Sequence, residues 1–97
     1  MPRFDFKPLF DDYVTVIAQM PFNITSHDFM LRLAQRNQKA FIEALYHHRK
    51  EGDPFLMVHG ILAKQLELHQ TLIRNTGVVD SVDIFGHKSR CVRWAKV

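Results

Sequence analysis

The tetrapeptide Glu51-Gly52-Asp53-Pro54 is the sharpest punctuation in the chain, and it limits how the flanking segments can join. Gly52 suits the left-handed residue that closes a helix, Asp53 suits an N-cap, and Pro54 suits a first helical position, where no amide bond is lost. One helix therefore ends and another begins at a corner too tight for the two to continue in line. The second helix is the longest periodic stretch. From residue 54 to about 70 or beyond, Phe55, Val58, Ile61, Leu62, Gln65 or Leu66, His69 and Leu72 recur on one broad stripe. His59, Gly60, Ala63, Lys64 and Glu67 form the opposite side, small or polar. Gly60 lowers helix stability by about 1 kcal/mol relative to alanine, so a packing or close-approach reason is expected for it. Asn75-Thr76-Gly77 then stops the helical pattern. Residues 78–85 are β-branched and alternating, Gly86-His87-Lys88-Ser89 turns, and residues 90–97 return as a second strand. Strict alternation puts Arg90, Val92 and Trp94 on one face of that strand and Cys91, Arg93 and Ala95 on the other.

Upstream of the corner the pattern is again helical, in shorter segments. Residues 1–7 read as an irregular lead-in, with Phe4 and Phe6 tucked against the body. Pro8 opens a helix over 8–20, in which Leu9, Tyr13, Val16, Ile17 and Met20 share a face, although the run Tyr13-Val14-Thr15-Val16-Ile17 also suits a strand. Pro21 ends it, and residues 22–25 read as one small strand. Ser26 is the expected N-cap of a helix over 27–36 that buries Phe29, Met30 and Leu33. After a break at Asn37-Gln38, a helix over 39–49 is expected to bury Phe41, Ile42, Leu45 and Tyr46. The resulting fold class is α+β: a small, mainly helical domain of three or four helices with a C-terminal two-stranded β-hairpin, all of 1–97 forming one domain.

Composition narrows the chemistry. Ninety-seven residues support one modest core, and 46% hydrophobic with 24% charged residues is ordinary for a globular protein. Eight Phe residues are expected to carry much of that core. A single cysteine, Cys91, forms no internal disulfide and fits a reducing cytoplasm. No apolar run reaches the ~18 residues needed to cross a bilayer, and the N-terminus lacks the pattern of a signal peptide, so no membrane association is expected. The histidines do not fall at chelating spacings: His47 and His48 are adjacent, and His59 and His69 lie on different helical faces, so no metal is expected. Cys91 near His87 reads as an ordinary thiol beside a turn, the acids suggest no paired carboxylates, and no glycine-rich phosphate loop occurs. Neither catalysis nor a cofactor is therefore expected. The net charge of +3 is mild, yet from Phe85 onward the chain holds four Lys or Arg and no acid. That local excess keeps nucleic acid among the partners.

At the long helix and hairpin, PFLMVHGILAKQLELHQ followed by DIFGHKSRCVRWAKV, the chain resembles a winged-helix DNA-binding domain. Residues 22–25 followed by Ser26 are similar to the small first strand and second helix of that fold. The resemblance covers most of 8–97, rests on element order rather than on a sequence motif, and includes one helix more than the fold needs. It implies a helix in the major groove and a hairpin wing on the backbone or minor groove of double-stranded DNA. By position, His59, Ala63, Lys64 and Glu67 would face the groove, with His59 and Lys64 as base-edge contacts. His87, Lys88, Arg90 and Arg93 would belong to the wing, with Lys88, Arg90 and Arg93 on phosphates, and Ser89 would hydrogen-bond a phosphate oxygen. The implied role is non-catalytic DNA binding in transcription regulation, in a bacterium or mobile element, with a homodimer compatible. Two alternatives stand beside it. The cationic hairpin can be a solvated edge that resists aggregation, or the scaffold can be a protein-interaction module, marked by an exposed apolar patch near Phe85 and Trp94.

Overall fold

The computed structural model describes residues 4–97, so residues 1–3 of the expected lead-in lie outside the described residues. The elements run α1 (Lys7–Phe10), α2 (Tyr13–Gln19), β1 (Asn23–Thr25), α3 (Ser26–Arg36), α4 (Gln38–His47), α5 (Pro54–Leu66), β2 (Ile73–Val82) and β3 (Lys88–Lys96). The class is mixed α+β, as the sequence led us to expect.

The anticipated helix over 8–20 is helical but divided. Its periodic residues Leu9, Tyr13, Val16, Ile17 and Met20 are all buried. The division falls at Asp11-Asp12, where the Asp12 amide bonds the Leu9 carbonyl in a tighter turn (3.1 Å). Arg36 and Asn37, each 3.4 Å from the Asp12 carboxylate, hold that corner from the far side of the bundle. Tyr13 then ties α2 to α5 by donating its hydroxyl to the Leu62 carbonyl at 2.6 Å. Burial pushes this phenol well above its ordinary pKa, so it stays a donor. Phe4 and Phe6 do pack on the core, edge to face with each other at 4.9 Å.

Thr25 rather than Ser26 caps α3. The Asp28 amide donates to the Thr25 hydroxyl (3.1 Å) and the Thr25 amide to the Asp28 carboxylate (3.4 Å), a reciprocal capping box. Ser26 is withheld from that task because its hydroxyl joins helix to sheet. It donates to the Val92 carbonyl (3.2 Å) and accepts from the Trp94 indole N–H (2.9 Å). Trp94 is buried and anchors β3 to the helical layer.

In α4 the buried side is narrower than expected. Ala40, Phe41 and Ala44 face inward, whereas Ile42 and Tyr46 are 62% and 65% exposed. The small alanine face lets α4 approach α3 and α5 closely, which turns positions 42 and 46 outward, where the Arg49 guanidinium lies 4.1 Å from the Tyr46 ring. Gly52 does not adopt a left-handed conformation; α4 instead unwinds through turn bonds such as Glu51 N–H to the His48 carbonyl (3.0 Å). Asp53 caps α5 as anticipated, accepting from the Leu56 amide at 3.0 Å with Pro54 at the first position.

The helix α5 stops at Leu66, earlier than residue 70, because His69 begins the turn into β2: the Ile73 amide bonds the His69 carbonyl at 3.0 Å. Asn75-Thr76-Gly77 does not separate helix from strand. It lies inside β2 as a bulge between Asn75 and Val78, with Gly77 at φ 121° and its amide donating to the Asn75 side chain at 2.8 Å. The hairpin turn is Asp83–His87, so β3 begins at Lys88, two residues earlier than expected. β1 also pairs with β3 through Asn23↔Ala95, Ile24↔Trp94 and Thr25↔Arg93, giving an antiparallel three-stranded sheet in the order β1-β3-β2.

Candidate nucleic-acid interface

The hairpin is longer than its packing requires. At its base Ile73, Trp94 and Ala95 are buried, but from Val78 to Val82 and from Lys88 to Val92 no residue is. Across that distal half the register pairs Val78↔Val92, Val79↔Cys91, Asp80↔Arg90, Ser81↔Ser89 and Val82↔Lys88. Side chains alternate along a strand, so Lys88 and Arg90 of β3 lie on the side of Trp94, toward the helices. Arg93 lies on the other side and is held there, its Nε donating to the Thr76 hydroxyl at 3.1 Å. His87, Lys88, Ser89 and Arg90 are brought together at the tip and are all exposed, while Arg90 stands 3.6 Å from the exposed carboxylate of Asp80.

The tip is shaped by Asp83. One carboxylate oxygen accepts the amides of Phe85 and His87, each at 2.9 Å, and the Asp83 amide closes the turn on the His87 carbonyl (2.9 Å). Partial burial works against the charge of Asp83, yet those amide bonds from His87 and Phe85 hold its pKa below the ordinary value. Gly86 supplies the positive φ of 86° that the turn needs. The loop does not project freely. Ile84 packs against the core and the Phe85 ring lies 3.9 Å from Phe55 on α5.

On α5 the expected outward set divides. Lys64 and Glu67 are exposed, and Ala63 is half-buried. His59 is not outward: it is 8% exposed, its ring tilted against Phe55 at 3.8 Å between centroids and edge-on to Phe41 at 5.7 Å. Burial drives its pKa down to about 4, with His27 nearby lowering it further and Asp83 partly opposing. A neutral, enclosed imidazole is in no position to reach a base edge within the major groove of a duplex. The spacing that explains this was present in the sequence: Phe55, His59, Leu62 and Leu66 repeat at four, three and four residues, one helical face beside the Val58 stripe. Gly60 has no packing neighbour either, since a Cβ placed there would meet nothing within 4 Å.

Between α5, the start of α3 and the hairpin lies a cleft of about 250 Å³. Met30, Phe55, Ala63 and Val92 give it apolar walls, and His27, His59, Asp83 and Arg90 give it polar ones. His27 and Asp83 were not singled out by spacing, because two distant segments, the start of α3 and the hairpin turn, bring them together beside α5. Among the described residues, no three His, Cys, Asp or Glu side chains gather in a metal-binding arrangement, and no helix is long and apolar enough to cross a membrane. In comparisons with family models, with curated proteins and with solved structures, none matches this chain.

Proposed function

We propose that this protein binds double-stranded DNA without catalysis, as a winged-helix-like regulator working in the cytoplasm, with the hairpin as its backbone-gripping wing. The observation that carries the reading is the distal hairpin: strands longer than the core needs, tipped by exposed His87, Lys88, Ser89 and Arg90. A cationic ribbon of that kind interacts with phosphates at any sequence. Support also comes from α5, whose Lys64 and Glu67 are exposed on the helix that the wing tip touches. Lys64 is the remaining base-edge candidate. Arg93 grips backbone from the opposite face of the ribbon, after release from Thr76.

The test is fluorescence anisotropy with a labelled random duplex at increasing salt, comparing the wild type with the variant carrying Lys88→Ala, Arg90→Ala and Arg93→Ala. Each lost phosphate contact should flatten the slope of log K against log salt by about 0.9. An unchanged slope removes those residues from the interface, and no duplex binding at low salt removes the reading.

A specific observation favours a second reading, a protein-interaction surface. Phe85, the wing-tip ring that meets Phe55, is 55% exposed, and Leu56, next to Phe55 on α5, is 67% exposed. Aromatic and aliphatic side chains left outside at one place suit a protein partner better than a phosphate backbone. Pull-down of one partner that Phe85→Ser abolishes, with no salt-sensitive duplex binding, would favour it.

A further inference from the structure

The cleft beneath the wing has three features that core packing does not explain. Gly60 occupies the middle of α5, where glycine disfavours helix, yet no neighbour approaches the place its side chain would fill. Its absence of bulk therefore serves open space rather than contact. His59 lines the same cleft, is 8% exposed, and its Nε2 has no hydrogen-bond partner; Nδ1 of His27, across the cleft, is likewise buried and unpartnered. Nε2 of His48 and of His69 are also buried without a partner, but only at this cleft do two such nitrogens line one open space, and that pairing points to what the cleft receives. Finally, Asp83 and Arg90 both line it, so opposite charges balance.

We infer that this cleft is a binding site for one neutral, planar nitrogen heteroaromatic ring system of nucleobase size. The volume of about 250 Å³ lies just under the range of sites for drug-sized molecules, which leaves room for one or two rings. Met30, Phe55, Ala63 and Val92 match the faces of such a ring, and the two imidazoles match an edge that carries both a donor and an acceptor. Balanced charge disfavours a carboxylate or an ammonium. Metal chemistry is a poor alternative, because no third ligand joins the two histidines among the described residues. The ring can arrive as a free nucleoside or as an unstacked base of a nucleic-acid strand, and the site does not depend on the duplex reading.

The experiment is an NMR titration of the isotope-labelled full chain with adenosine, guanosine, cytidine and thymidine, then with a mixed ten-nucleotide single strand. Expected are shifts in the His27 and His59 rings and the Gly60 and Val92 amides, saturating for at least one ligand. Shifts there with nucleosides identify a free ligand as sufficient, and shifts there with the strand alone identify the base as delivered by nucleic acid. Gly60→Leu, which fills the open space, should weaken that binding at least tenfold. Silence at those four residues with every ligand overturns the inference, as does undiminished binding by a folded Gly60→Leu; if that variant does not fold, the wild-type map decides. Duplex anisotropy on the same sample keeps the two readings apart, since either can fail while the other stands.

Discussion

Replacing His59 with leucine tests the buried-imidazole assignment through the pH dependence of stability. In the native protein His59 resists protonation until about pH 4, whereas the unfolded chain takes up that proton at the ordinary 6.5. The unfolded state therefore holds more protons throughout that window. The stability His59 contributes as a neutral side chain is fully present above pH 6.5 and is lost as pH falls toward 4. The gap of 6.5 − 4 corresponds to about 3 kcal/mol in total, of which about 2 kcal/mol falls between pH 7 and pH 5. For a domain of this size that is a large share of a net stability of about 5–15 kcal/mol. The depressed Asp83 pKa acts in the same direction but at lower pH, so it leaves the upper half of the window clear. Urea unfolding of wild type and His59→Leu at half-unit steps from pH 7.5 to 4.5 reads the difference directly. Leucine retains the apolar contact with Phe55 and Phe41 and leaves no polar atom unpaired, so the variant should lose about 2 kcal/mol less than wild type on going from pH 7 to 5. Parallel curves would refute the reasoning and return His59 to the outer face of α5.

Three further outcomes follow from named contacts. Gly60→Ala meets open space and improves helix propensity, so it should stabilise by about 1 kcal/mol, seen as a rise of about 4–8 °C in the thermal midpoint; a fall would mean that something packs there. Tyr13→Phe removes the buried bond to the Leu62 carbonyl and should cost about 1–3 kcal/mol in chemical denaturation, whereas a change within 0.5 kcal/mol (roughly the scale of a neutral surface substitution) would deny that link between α2 and α5. Phe85→Ala detaches the tip from Phe55. Hydrogen exchange should then quicken in residues 83–87 while α3 keeps its protection, at a cost in stability of about 0.5–1.5 kcal/mol beyond the area lost; unaltered exchange at the tip would show that Asp83 alone holds the loop.

Local physical chemistry determined much of this protein before any tertiary contact is considered. The cap and corner at Asp53-Pro54, the inward residues of α2 and α3 and the existence of the hairpin all follow from periods of 3.6 and 2 and from backbone rules for proline and capping side chains. These are short-range effects, so they survive in the linear pattern. Tertiary structure decided wherever two partners competed for one group or where distant segments met. Ser26 was a plausible cap until the indole of Trp94 claimed its hydroxyl, which moved the cap to Thr25. Asn75-Thr76-Gly77 is a break by composition and a bulge in fact, because β3 offers the Thr76 hydroxyl its Arg93 carbonyl at 3.0 Å. Ile42 and Tyr46 fit a helical stripe but lost the inward side to Ala40 and Ala44, since helix separation rewards small residues where two neighbours crowd in. His59 had the spacing of a core residue and the chemistry of a surface one. Only the arrival of Phe55, Phe41 and the wing tip around it settled that it lies inside, and burial of this kind depends on the summed approach of several elements, which no single segment encodes.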